Sequence, residues 1–222
     1  MVNRVDSMGD GPPDVRAAVI RGRTRSVVAA CMSSRDKLSA LLAGAGLKLL
    51  DVPGSGDELP VTAASLVTSC GPEHGRRDEV VELGDPHLVE KANAGWFRLA
   101  SEYGLFSQSR EFLLGVDFAG QDAAPILRWV RVQLQDDWDI MGAGAASGIL
   151  GAGSGWPGFV MMSLDGEVIV GGTTWQRSIG SLAVRHPSRI QLVRDYVGRL
   201  IVNPRTASDV RAEGERWLSS TA

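Results

Sequence analysis

Apolar residues along the chain follow a helical spacing at both ends and a strand spacing in the middle. Leu38, Leu41 and Leu42 recur at the i, i+3 and i+4 positions of one helix face. Val130, Val132 and Leu134 alternate with polar residues, as in a half-buried strand. The helical pattern covers residues 14–50, 63–70, 87–114, 187–202 and 206–218.

A β-hairpin is the clearest local prediction. Two runs rich in β-branched and apolar residues, 159–164 and 167–170, flank Asp165-Gly166. Asp-Gly between such runs favours a two-residue type I′ turn, because both turn residues need a positive φ. A further strand is expected over 179–184. The chain is therefore predicted to be α+β, with an N-terminal helical segment followed by a mixed domain that has a small antiparallel sheet and closing C-terminal helices.

Changes in composition divide the chain into four parts. Residues 1–14 contain three Asp, and residues 1–13 end in Gly-Pro-Pro, which predicts a disordered leader over 1–13 rather than a signal peptide. Residues 14–72 form the helical segment. The charged stretch 73–86, with two glycines, is predicted to be a linker, and 87–222 forms the α+β domain.

Charge and cysteine content restrict the classes of function. The chain has 222 residues and a net charge of −3, which excludes nucleic-acid binding by bulk charge alone. Residues 1–50 nevertheless carry eight basic and four acidic side chains, whereas residues 51–100 carry four and nine. The two cysteines make neither a disulfide framework nor a zinc site, which favours the cytoplasm.

The basic first part contains a candidate helix-turn-helix over residues 24–44. A helix over 25–31 would lead through a tight turn into a recognition helix over 34–43. Hydroxyl groups and a helix N-terminus hold phosphates, and Arg or Lys reaches guanine edges. The predicted DNA-binding residues are Arg25, Ser33, Ser34, Arg35 and Lys37. The alternative is an ordinary amphipathic helical hairpin.

The run VVAACMSSRDKLSALLAGAGL, followed by LPVTAASLVTSCG, resembles the end of an Xre-type helix-turn-helix in actinobacterial regulators. WVRVQL, PGFVMMSL and the run from EVIVGG to the C-terminal helix resemble the effector-like domain of unknown function that follows it in that family. The resemblance implies a regulator or antitoxin-like protein and carries over no catalytic residues. Asp36 and Lys37 depart from the family pattern, and an insertion follows the recognition helix, so a relative without DNA binding stays open.

A ligand pocket is expected in the second half of the chain. The segment 141–155 is rich in glycine but lacks the strand, helix and lysine of a nucleotide-binding loop, so it is interpreted as a flexible loop or lid. Trp138, Trp156 and Trp175 surround it in sequence and are the candidate pocket lining. No cofactor and no metal site are predicted.

Three functions remain in view. The first is a cytoplasmic transcriptional regulator or antitoxin-like protein, with DNA contacted through residues 24–44 and a small molecule or protein partner at the C-terminal domain. The second is a small cofactor-independent enzyme of secondary metabolism, such as a cyclase or isomerase, with a Trp-lined pocket under the Gly-rich lid. The third is a partner-binding protein with no DNA contact. No membrane association is expected, and a homodimer is left open.

Overall fold

A computed structural model describes residues 34–53, 56–118, 126–152 and 155–221 of the chain. The helices in these ranges are α1 Ser34–Gly44, α2 Val61–Ala64, α3 Leu88–Tyr103, α4 Gln191–Val202 and α5 Ser208–Ser220. The strands are β1 Leu47–Asp51, β2 Arg77–Glu82, β3 Glu111–Phe118, β4 Ile126–Leu134, β5 Phe159–Met162, β6 Val168–Thr174 and β7 Ser178–Arg185. Single turns of tighter or wider helix lie at Ser65–Ser69, Pro72–His74, Ile140–Gly144 and Pro187–Arg189.

All seven strands form one antiparallel sheet in the order β1-β4-β3-β5-β6-β7-β2. The α+β class and the antiparallel sheet are confirmed, but the sheet is larger than predicted. The central strands pair with neighbours close in sequence. Its two outer strands, β1 and β2, come from the part of the chain that was predicted to be helix and linker.

Both faces of the sheet are covered, which explains the continuous apolar character of β5. Phe159 and Met161 belong to the core on the first face, together with α1 and α3. Val160 and Met162 belong to the core on the second face, together with α2, α4 and α5. A strand buried on both faces reads as an unbroken hydrophobic run.

The first correction concerns residues 47–51, which form an outer strand and not the end of a helix. α1 ends at Gly44, and Gly46 adopts φ 76°, where L-residues rarely lie. A Cβ on Gly46 would overlap the Asp137 carbonyl and the Trp138 Cα. The chain then turns into β1, where Leu47 pairs with Leu134. The three leucines among residues 47–51 favoured a helix in the sequence pattern. In the structure Leu47 is buried and Lys48 is exposed, as in a strand with one face on the core.

The predicted linker 73–86 contains β2 and does not separate two domains. Val80 pairs with Gly180 and Val81 with Ile179, so β2 extends the sheet beyond β7. The described residues from Ser34 onward form one compact unit. β2 is an outer strand whose side chains are mostly exposed, which explains its linker-like charge. The predicted leader and residues 14–33 lie outside the described ranges.

The predicted helix over 87–114 ends earlier, at Tyr103. Gly104 adopts φ 87° and its N–H is bonded to carbonyls of the last turn, which is a left-handed helix end. Phe112 and Leu113, which were predicted to be helical, are neighbours in β3. They face the first and second core respectively, as alternation along a strand requires.

The hairpin at 159–170 is confirmed, but its turn differs from the prediction. Ser163 N donates to the Val168 carbonyl at 3.0 Å, so the connection has four residues, 164–167. Gly166 has a φ of 75°, whereas the φ of Asp165 is negative, so only one of the two residues has the positive φ that a type I′ turn needs. The Asp165 carboxylate accepts hydrogen bonds from Ser163 Oγ at 2.5 Å and from Glu167 N at 3.0 Å, which stabilises the longer turn. The predicted strands near 129–134 and 179–184 and both C-terminal helices are also confirmed.

Candidate functional site

An open groove lies on the second face of the sheet. It consists of three adjoining cavities of about 380, 320 and 30 Å³. Val61 of α2 lines all three, and Leu127 of β4 lines the two larger ones. We call it the α2–α5 groove, and its walls are Pro53, Gly56, Glu58, Pro60–Thr62, Ser65, Thr68, Gly115, Asp117, Leu127–Trp129, Phe159, Val160, Gly172, Ala207, Val210 and Glu213.

The floor of the groove is apolar and lies close to the backbone of β3. A Cβ on Gly115 would come within 2.6 Å of Val61 Cγ1 and 2.9 Å of Val160 Cγ1. Glycine at this position therefore lets α2 approach the sheet closely. The volumes of the two larger cavities fall in the range of small-molecule sites, roughly 300–1,000 Å³.

One end of the groove is charged, and Glu213 of α5 lies at its centre. Burial raises the pKa of the Glu213 carboxyl above its usual range, and Asp209 and Glu58 add to this shift. Arg216 and Arg128 oppose it without cancelling it. Within the described ranges, no hydrogen bond or ion pair to the Glu213 carboxylate is found.

The neighbouring guanidinium groups have partners other than Glu213, although Arg216 Nη2 is buried without a hydrogen-bond partner among the described residues. Arg128 lies 4.0 Å from the Asp209 carboxylate, and Arg216 Nε donates to the Gly56 carbonyl at 3.0 Å. The buried Trp129 indole donates to the Leu59 carbonyl at 2.7 Å. Side chains from α5 and β4 therefore fix the backbone just before α2, so one wall of the groove is held in place.

The sequence contained a signal for Glu213 that periodicity alone did not identify as functional. Glu213 lies three residues after Val210 and four before Trp217, so it falls within the apolar stripe of α5. A carboxylate at such a position is partly buried and needs a partner. Trp129 was recognised as part of the β region, but Trp138, Trp156 and Trp175 were preferred as pocket residues.

Those three tryptophans do not surround a common cavity. Trp138 packs with the first core, where it stacks on Phe97 with ring centroids 5.4 Å apart. Trp175 packs against the second core, on the other face of the sheet. Trp156 is 41% exposed. The geometry on which the enzyme alternative relied is therefore not present among these side chains.

The described part of the Gly-rich segment is a packed structural element and not a lid. Ile140, Met141 and Leu150 are buried in the first core. Asp139 accepts hydrogen bonds from Gly142 N and Ala143 N, and also from the Asn93 side chain of α3 at 2.6 Å. Burial tends to raise the pKa of Asp139, but these three hydrogen bonds outweigh burial and lower it. The carboxylate thus caps the turn and ties it to α3.

The predicted DNA-binding residues are only partly described. Arg25 and Ser33 lie outside the described ranges, and for Ser34 only the backbone at the start of α1 is described. Arg35 and Lys37 are both exposed in the first turn of α1, and Arg35 Nη2 donates to the Leu50 carbonyl at 3.2 Å. Two residues along a helix correspond to a rotation of about 200°, so these two side chains leave α1 on different sides.

Comparisons with protein-family models, characterised proteins and solved structures found no match for this chain. Within the described ranges, every helix is too short or too polar to cross a membrane. The groove and the exposed first turn of α1 are therefore the features on which a functional proposal can be based.

Proposed function

We propose that the protein is a cytoplasmic transcriptional regulator or antitoxin-like protein. The C-terminal α+β domain would sense a small molecule or a protein partner, with α2 completing its groove, and residues 24–44 would contact DNA. The observation that carries the proposal is the α2–α5 groove, which combines an apolar floor with a charged end. Sites of this composition orient a ligand with a few polar groups and hold it through its apolar surface.

The packing of α1 supports a contact with DNA. α1 buries Leu38 and Leu42 against β1 and the turn at 140–144, and it leaves Arg35 and Lys37 in solvent. This arrangement supports one side of α1 and leaves its first turn free to enter the major groove, although Arg35 and Lys37 leave that turn on different sides. The basic residues near it would add phosphate contacts whose strength falls with salt.

A reducing compartment is consistent with Cys70. Its thiol is free and buried, and burial raises its pKa. A buried thiol of this kind behaves as a small hydrophobic side chain and favours a cytoplasmic location.

Arg35→Ala tests the DNA part of the proposal. We expect specific binding to a duplex from the region upstream of the protein's own gene to weaken by about 1–3 kcal/mol, as for the loss of one base contact. Fluorescence anisotropy at several salt concentrations measures the change. Lys48→Ala, which removes an exposed positive charge from β1, is the matched control and should weaken binding less.

Absence of salt-sensitive binding at low micromolar protein would refute the DNA contact. Equal losses for Arg35→Ala and Lys48→Ala would show that α1 provides only a general positive charge. Arg35 also donates a hydrogen bond to β1, so its loss could in principle affect the fold. Circular dichroism spectra of both variants should match that of the wild type, which would exclude unfolding as the cause of weaker binding.

A further inference from the structure

The charged end of the α2–α5 groove has more acidic than basic side chains available to a ligand. Glu58, Asp117 and Glu213 line its cavities, and Arg128 is the basic residue that lines them with these three. Arg128 lies 4.0 Å from Asp209, and Arg216 donates through Nε to the Gly56 carbonyl, while its Nη2 is buried without a partner among the described residues. The four carboxylates of Glu58, Asp117, Asp209 and Glu213 therefore outnumber the two guanidinium groups at this end of the groove.

From this acidic end, the groove continues along an apolar floor. Leu127 is 43% exposed and stands between the two larger cavities. Beyond it, Val160 lines the second cavity beside the backbone of Gly172. A ligand that fits the whole groove would have a positive charge at one end and a hydrocarbon body.

We propose that the α2–α5 groove binds an amphipathic amine, with its ammonium group against Glu213 and its hydrocarbon body over Val61, Leu127 and Val160. This inference rests on the sensing role proposed above and names the class of ligand. An ammonium group would supply the partner that the Glu213 carboxylate lacks among the described residues. A partly buried, charge-assisted hydrogen bond of this kind contributes more than a neutral one.

A ligand carboxylate fits this site less well. It would lie next to Glu58, Asp117 and Glu213, where like charges repel.

The proposal is tested by isothermal titration calorimetry of the full chain with octylamine, octanol and octanoate at neutral pH. The three probes share one chain length and differ in charge. We expect octylamine to bind at least about tenfold more tightly than octanol, and octanoate to bind most weakly. Glu213→Gln should remove most of the advantage of octylamine and leave octanol unchanged.

Glu215→Gln is the matched control, because Glu215 is exposed on the same helix two residues away. It should leave the affinity for all three probes unchanged. Octylamine should also bind more tightly as the pH rises through the raised pKa of Glu213, and this dependence should be lost in Glu213→Gln. The charged neighbours of Glu213 are the same in the wild type and in Glu213→Gln, so any pH dependence that they cause would appear in both proteins. These neighbours are Glu58, Asp117, Arg128, Asp209 and Arg216.

Three results would overturn the proposal that the groove binds an amine. They are no octylamine binding at millimolar concentration, equal affinity for octylamine and octanol, or no effect of Glu213→Gln. Equal binding of octylamine and octanol that weakens in Leu127→Ser would refute the ligand class while leaving the groove as the sensing site. The DNA measurement with Arg35→Ala does not depend on any of these outcomes.

Discussion

Glu213 lies at a position where the periodicity of α5 calls for an apolar side chain. Its neighbours along the helix stripe, Val210 and Trp217, contribute to the groove wall and to the second core. A carboxylate between them is ionised only at a cost, because burial and Asp209 both disfavour the charge. Groups that are unfavourable for folding are concentrated at binding sites, where a ligand compensates for them.

Ionising the partly buried Glu213 carboxyl is unfavourable, so the free energy of unfolding should depend on pH. A carboxyl whose pKa is raised in the folded state stabilises the fold only below that pKa, and the contribution is lost as pH rises. Glu213→Gln should therefore match the wild type below about pH 4 and be more stable at pH 7. The gain should be less than about 1 kcal/mol, because the side chain is only partly buried and solvent screens it.

Urea denaturation of both proteins across this pH range measures the difference. Glu215→Gln again serves as the control, with no expected change in its stability relative to the wild type at either pH. A Glu213→Gln variant that is less stable than the wild type at pH 7 would show that the carboxylate has a stabilising partner.

At the scale of elements, local turn chemistry was more predictable than the identity of outer strands. The hairpin at 159–170 could be found because two buried strands flank an Asp-Gly pair. Its four-residue connection could not, because it depends on the hydrogen bond from Ser163 to Asp165. β2 was missed because an outer strand with exposed charged residues has the composition of a linker.

The site was less predictable than the fold. Trp129 and Glu213 are 84 positions apart in the sequence and meet only because α5 packs against the second face of the sheet. Trp138 and Trp156 are close in sequence to the Gly-rich segment, but the segment folds against α3 through Asp139 and Asn93. Proximity in sequence therefore indicated the wrong face of the sheet.

The junction between α1 and β1 gives a test at the same scale. Gly46→Ala should destabilise the protein by at least about 2 kcal/mol, because its positive φ disfavours a Cβ and the new methyl would overlap residues 137 and 138. Gly44→Ala, two residues earlier at the end of α1, meets no atom within 4 Å and should be neutral or slightly stabilising. Thermal unfolding compares the two variants, and similar losses in both would contradict the described turn.

At the scale of the whole molecule, α1 and the α2–α5 groove lie on opposite faces of one sheet. α1 contributes Leu38 and Leu42 to the first core, and the groove is built from the second. β4 connects them, since it pairs with β1 beside α1 and carries Leu127 and Trp129 into the groove. β4 is therefore the element that touches both the α1 side and the groove.

Backbone hydrogen exchange of the full chain with and without saturating octylamine tests the central claim, that the α2–α5 groove is the sensing site. Ligand binding lowers the population of locally open states at the site it contacts. We predict added protection over residues 59–68 and 208–216, with little change over 142–152. Protection confined to 142–152, with residues 59–68 and 208–216 unchanged, would contradict the account and restore the Gly-rich segment as the ligand-binding element.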